Sequence, residues 1–109
     1  MRYIFSVIDN RSNSGTAEEM AEIDIFNQKL IDNGHWVLAA GVQDPSEARL
    51  FDNRNGHGLI AQGPLNNTVE FMSGFWVIEA ANDEEANVLA TEASQACNRK
   101  IEVRGFLGN

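Results

Sequence analysis

The chain predicts a two-layer α+β domain, and three observations carry that expectation. Segments of apolar alternation stand at residues 2–8, 36–42 and 74–80, with a short closing one at 100–107. Two segments with apolar residues three and four apart fall between them, and the resulting order is strand, helix, strand, then strand, helix, strand. With 109 residues, 43% hydrophobic and 22% charged, the chain suits one domain, 1–109, around a single core.

Residues 2–8 open the domain with Tyr3, Phe5 and Val7 on one side and Ile4 and Ile8 on the other. Both sides are apolar, so this strand is expected at the centre of a sheet. The polar run from Asp9 to Gly15 breaks it, and Thr16-Ala-Glu-Glu19 then supplies a capping box that satisfies orphan amides at a helix start. Met20, Ile23, Phe26, Asn27, Leu30 and Ile31 follow at helical spacing, and Gly34 suits a left-handed stop. Residues 36–42 read as a second buried strand, closed by the turn Gln43-Asp-Pro-Ser46. Residues 47–52 and 58–62 flank Asn53-Arg-Asn-Gly-His57, whose Asn-Gly pair tolerates positive φ and marks an added hairpin. After a polar loop, residues 74–80 form an aromatic and β-branched strand. Asn82-Asp-Glu-Glu85 then places acids where a helix N-terminus favours them. The second helix presents the small inner face Ala86, Leu89, Ala90, Ala93 and Cys97, and residues 100–107 close the sheet.

Hairpin aside, this is the split β-α-β arrangement, whose right-handed crossovers place both helices on one face of an antiparallel sheet in the ferredoxin-like plan. The other face then needs a cover, because both alternating sets are apolar: Phe75 and Val77 against Trp76 and Ile78, Ile101 and Val103 against Phe106. An open apolar sheet of that size is a partner surface in most monomeric folds. A twofold dimer is therefore expected, with the uncovered face placed around Trp76, Ile78 and Phe106. The competing arrangement folds the hairpin over that face.

Composition narrows the partners. A net charge of −8 repels phosphate backbones and anionic membranes, so neither nucleic acid nor membrane is expected. The aromatic strand at 73–79 also lacks the basic residue that RNA-recognition sheets place before the glycine. The longest apolar runs are too short to span a bilayer and no signal-peptide core is present, so a cytoplasmic protein is expected. One cysteine excludes an internal disulfide and points to a reducing compartment. Two histidines and one thiol cannot make a conventional structural zinc site, and no phosphate-cradling loop is present; no cofactor is expected.

The stretch Gln62-Gly-Pro-Leu-Asn-Asn-Thr-Val-Glu-Phe-Met-Ser-Gly-Phe-Trp-Val-Ile-Glu79, the Ala40-Gly41 pair and the closing Ile-Glu-Val-Arg104 fall in an order that resembles the YCII-related proteins, in particular their DGPF subfamily. The resemblance covers most of the chain and implies a ferredoxin-like α+β barrel dimer. Gln62, Glu70 and Arg104, in the motif loop, just after it and in the closing strand, are the candidate ligand-binding residues. The naming motif is degenerate, reading Gln62-Gly63-Pro64-Leu65, and the helical histidine of the better-studied branch would fall near Ile23 or Asp24. Asp44 could match that branch's acidic partner.

Each chemical candidate has a structural alternative. His35 follows a helix cap and could bond the helix C-terminus, or act as a general base beside Asp24 or Asp44. Asp24 stands next to the apolar stripe of the first helix, where a solvated carboxylate is the ordinary outcome. Glu79 is expected to pair with Arg104 across the sheet, His57 to be a solvated turn residue, and Cys97 to be a small core residue. Two functions remain. One is a non-catalytic dimer that binds a small molecule or a partner in the cleft between sheet and helices. The other is a small-molecule lyase, isomerase or hydrolase using Asp24 or Asp44 with His35.

Overall fold

The capping box sets the first helix where the sequence places it: Thr16 Oγ1 accepts from the Glu19 amide at 3.1 Å while Glu19 returns a carboxylate to the Thr16 amide at 2.9 Å. The computed structural model describes residues 1–108. Its elements are β1 (Arg2–Asp9), α1 (Ala17–Asp32), β2 (Trp36–Gly41), β3 (Arg49–Asp52), β4 (Leu59–Gln62), β5 (Phe71–Glu79), α2 (Asp83–Cys97) and β6 (Lys100–Gly105). An antiparallel sheet of order β2-β5-β1-β6 carries both helices, and β3 with β4 forms a separate two-stranded sheet. This is the α+β, ferredoxin-like architecture.

Cross-strand partners share a face, so the register sorts the sheet into rows. Toward the helices lie Gly105-Tyr3-Ile78-Trp36, then Val103-Phe5-Trp76-Ala39, then Ile101-Val7-Gly74-Gly41. Toward the other side lie Arg104-Ile4-Val77-Leu38 and Glu102-Ser6-Phe75-Ala40. Phe26 and Leu30 of α1 and Ala86, Leu89, Ala93 and Cys97 of α2 close over the first set, completing the core with Tyr3, Phe5, Trp76 and Ile78. Phe26 meets Trp76 edge-on with ring centroids 5.5 Å apart, a geometry worth about 1 kcal/mol beyond burial.

These rows correct the expected placement of the open face. Trp76 and Ile78 are core residues on the helix side, as are Ile101 and Val103; the other side carries Ile4, Leu38, Phe75 and Val77, of which Leu38 is exposed, Ile4 and Phe75 are half-buried and Val77 is buried among its neighbours. A second correction concerns Glu79. β1 separates β5 from β6, so Glu79 cannot reach Arg104 and binds Arg2 directly opposite at 2.7 Å, with the N-terminal amine at 3.4 Å.

Boundaries differ where side chains intervene. β5 begins at Phe71, three residues before the expected start at 74, because a bulge at Val7/Ile8 lets Ile8 and Asp9 pair with Met72 and Phe71. Asp44 accepts from the Ser46 amide and Pro45 follows it, so residues 45–47 wind into a 3-10 turn and β3 is delayed to Arg49. The hairpin tip holds Asn55 at φ 54° and Gly56 at φ 68°, the conformations its sequence anticipates. β3 and β4 hydrogen-bond only to each other, and Phe51 and Ile60 on one side of the hairpin stay largely exposed.

Candidate ligand-binding site

The third helix-side row is short of side chains. Gly41 and Gly74 stand opposite each other, and a Cβ on Gly74 would lie 2.9 Å from the Ala40 carbonyl oxygen. The backbones of β2 and β5 therefore run bare beneath α1, with Ala39 adding little volume. Above them α1 contributes Met20 and Ile23 in place of the larger rings used deeper in the core, and a cavity of about 360 Å³ is left between helix and sheet. Its apolar wall is Val7, Met20, Ile23 and the Trp76 indole. Its polar groups are Asn27, Ser73 and, from the β1-α1 loop, Asn13 and Ser14. Asn27 Oδ1 accepts from Trp76 Nε1 at 2.7 Å, which fixes the amide's orientation at the pocket wall.

One end of the pocket is an ion cluster. Arg99 donates to Asp9 Oδ2 at 2.9 Å, to Glu19 Oε2 at 3.0 Å and to Ser14 Oγ at 2.8 Å, tying the end of β1, the first turn of α1 and the start of β6 together. Burial alone would raise the Asp9 carboxyl, but bonds from Ser14 and Arg99 and from the Asn10 and Arg11 amides outweigh it and hold it at about 2. The Thr16 amide and then Arg99 hold Glu19 at about 2 as well. The two carboxylates in turn push Arg99 upward, so all three stay charged at any physiological pH. Cys97 borders the same end, its thiol raised by burial.

The residues singled out from sequence lie elsewhere. Asp24 is exposed on α1, one position past the pocket-lining Ile23. His35 sits at the opposite end of β2: its amide caps α1 on the Leu30 carbonyl at 2.8 Å, and its Nδ1 lies 2.8 Å from the Glu79 carbonyl oxygen. The six residues of β2 put about 20 Å of strand between His35 and Asp44, so the two do not meet. Asp44 is exposed at the pocket end of the sheet, where Ser12 at 2.6 Å and the Ser46 amide hold it at about 2. Gln62 donates to the Ser46 carbonyl at 2.9 Å and braces the hairpin base. Glu70 pairs with Lys100 at 2.7 Å on the wall of a shallower depression of about 210 Å³, which shares Asp9 and Arg99 with the main pocket. Arg104 is exposed in the row of Ile4 on the open face, remote from both.

Sequence reasoning passed over Asp9, Ser14, Glu19, Asn27 and Arg99. The signal was present in topology: if β1 and β6 pair antiparallel, the end of one must lie beside the start of the other, which puts an acid at 9 next to a base at 99. Among the described residues no group of three or more His, Cys, Asp or Glu side chains is placed to hold a metal ion. No described helix is long and apolar enough to cross a membrane.

Fold and site together define a ferredoxin-like α+β domain with a glycine-floored pocket, closed at one end by a fully paired ion cluster. The family model for the YCII-related domain matches residues 1–105, and the chain belongs to that family. Comparison with the curated proteins gave no match.

Proposed function

We propose that the protein binds a small, uncharged, partly apolar molecule in the pocket between α1 and the β2-β5 floor, and that it does so as a cytoplasmic homodimer without catalysing a reaction. The observation that carries this is the pairing of every charged group at the pocket. Asp9 and Glu19 are both held by Arg99, so the cluster keeps one net negative charge but no charged side chain there lacks a partner, and amide and hydroxyl groups, with an indole wall, are left to meet a ligand. A volume of about 360 Å³ falls in the range of small-molecule sites, and a few fixed polar groups in an apolar wall are their usual make-up. An acid-base mechanism needs a group that titrates near its working pH. Asp24, Asp44 and His35 line no common pocket and Asp44 is held at about 2 by Ser12 and Ser46, which weighs against the enzyme reading that used them.

The dimer is supported by the sheet face away from the helices, where exposed Leu38 and half-buried Ile4 and Phe75 form an apolar centre beside Glu102 and Arg104. A free, buried Cys97 suits the reducing cytoplasm. Within the family, the order of motifs around residues 62–65 favours the DGPF-like branch, with its motif degenerate.

Thermal shift and ligand-observed NMR with benzamide, phenol and indole as simple probes test the pocket. A probe at 100 times its dissociation constant stabilises the wild type by about 2.7 kcal/mol. Ile23→Trp, which fills the cavity from α1, abolishes that shift while far-UV circular dichroism stays unchanged. Probe binding that survives Ile23→Trp, or no binding by the wild type, overturns the proposal.

A further inference from the structure

The β3-β4 hairpin is an arm, and we propose that its partner is a second copy of this chain, which it clasps through Phe51 and Ile60. An isolated two-stranded hairpin is marginal in water and needs a third strand or a packed face. Here neither β3 nor β4 has a third strand. Phe51 and Ile60 are cross-strand partners, yet they stand 63% and 70% exposed. Behind them, on the other side of the hairpin, lie Leu50, Ala61 and Leu59, so both sides are apolar. The chain's radius of gyration is 15.8 Å against about 13 Å for a compact domain of this length.

The arm is nonetheless built to hold its shape. Gly63 donates to the Ala48 carbonyl and Gln62 to the Ser46 carbonyl at its base, while Arg54 grips Asp52 with two bonds at 2.9 and 2.7 Å near its tip. Preset geometry lowers the ordering cost of association.

A second copy is favoured by charge, by area and by position. The chain carries −8, so copies repel through most of their surface. Residues 45–62 balance Glu47 and Asp52 against Arg49 and Arg54, and two copies can approach through that segment without the general repulsion. At about 150–200 Å² for a large side chain, the exposed parts of Leu38, Phe51, Leu59, Ile60, Leu65 and Val69 reach several hundred Å² per chain, the order of the roughly 800 Å² per partner in a standard interface. The arm also leaves from the end of β2 and returns to the start of β5, the two strands that carry Leu38 and Phe75 on the face away from the helices. Two copies joined through that face thus bring each arm to the other's sheet.

The inference rests on the dimer reading, and sedimentation analysis of the full chain separates the two. The wild type sediments at twice the 12.0 kDa of one chain, and Phe51→Ser with Ile60→Ser weakens the dimer by about 100-fold or more. Hydrogen exchange gives an independent readout: amides of the hairpin are protected in the dimer and lose that protection on dilution to monomer. A dimeric wild type whose double variant associates equally tightly, or whose hairpin exchanges equally fast in both states, overturns the clasp and spares the dimer. A wild type that stays monomeric at high-micromolar concentration overturns both.

Discussion

Replacing Arg99 by methionine keeps most of the aliphatic stem and removes the one cation between Asp9 and Glu19. The side chains of the three residues are 19%, 10% and 16% exposed, so they sit well inside the range where a lost partner is felt. Holding Asp9 at about 2 against an ordinary 3.8 corresponds to roughly 2 kcal/mol of folding free energy at neutral pH, shared between Ser14, Arg99 and two backbone amides. Stranding one member of a buried pair costs 3–5 kcal/mol; with this residual exposure, and with two like charges left facing each other, about 2–3 kcal/mol is expected at pH 7. For a domain of this size that is a fall of roughly 10–20 °C in Tm. Equilibrium urea unfolding followed by tryptophan fluorescence measures it. The sign with pH follows from the lowered carboxyls: their contribution is complete above their unfolded values near 4 and is lost as pH falls through about 2. Wild-type stability therefore drops across that window. Arg99→Met, with no guanidinium to hold the carboxyls down, drops less, and the difference between the two proteins narrows toward pH 2. A difference below about 1 kcal/mol at pH 7, or one that is flat with pH, refutes the assignment of this cluster as the clamp on the pocket end.

Gly74→Ala places a methyl 2.9 Å from the Ala40 oxygen, which is backbone and cannot swing aside; β2 must shift, at a cost of about 1–3 kcal/mol and with loss of probe binding. Asn27→Leu leaves the Trp76 indole N–H without its acceptor and should cost about 1–3 kcal/mol by urea unfolding. Thr16→Ala breaks the capping box and lowers stability by about 1 kcal/mol, a Tm change of a few degrees by calorimetry.

Local rules were readable because they need only neighbours. The α1 cap spans four residues, and the hairpin tip is set by Asn55 and Gly56. The facing of β5 was not, because Phe75 and Val77 are as apolar as Trp76 and Ile78 and alternation cannot choose between them. Volume could have chosen. An inner face of Ala86 and Ala93 on α2 leaves room that Tyr3, Phe5 and Trp76 fill, whereas a second set of small residues would leave a void. Arg99 was illegible for a different reason: its partners are 80 and 90 residues away, and only the β1-β6 register joins them. The histidine and aspartates singled out from sequence were ranked by residue type, and chemistry of that kind says nothing of which end of a strand each group occupies.

Gly74 and Phe75 show how one short segment serves both sides of the sheet. Alternation turns Gly74 toward α1, where the missing side chain makes the pocket floor, and turns Phe75 to the open face, where a ring supplies apolar surface. A change at 74 therefore acts on the cavity and a change at 75 on the proposed interface, one peptide unit apart. Paired with Ala40 and Gly41 on β2, these residues are also the ones whose order carries the family resemblance. A close backbone approach, a cavity floor and the apolar side of the sheet all depend on side-chain size within this one segment.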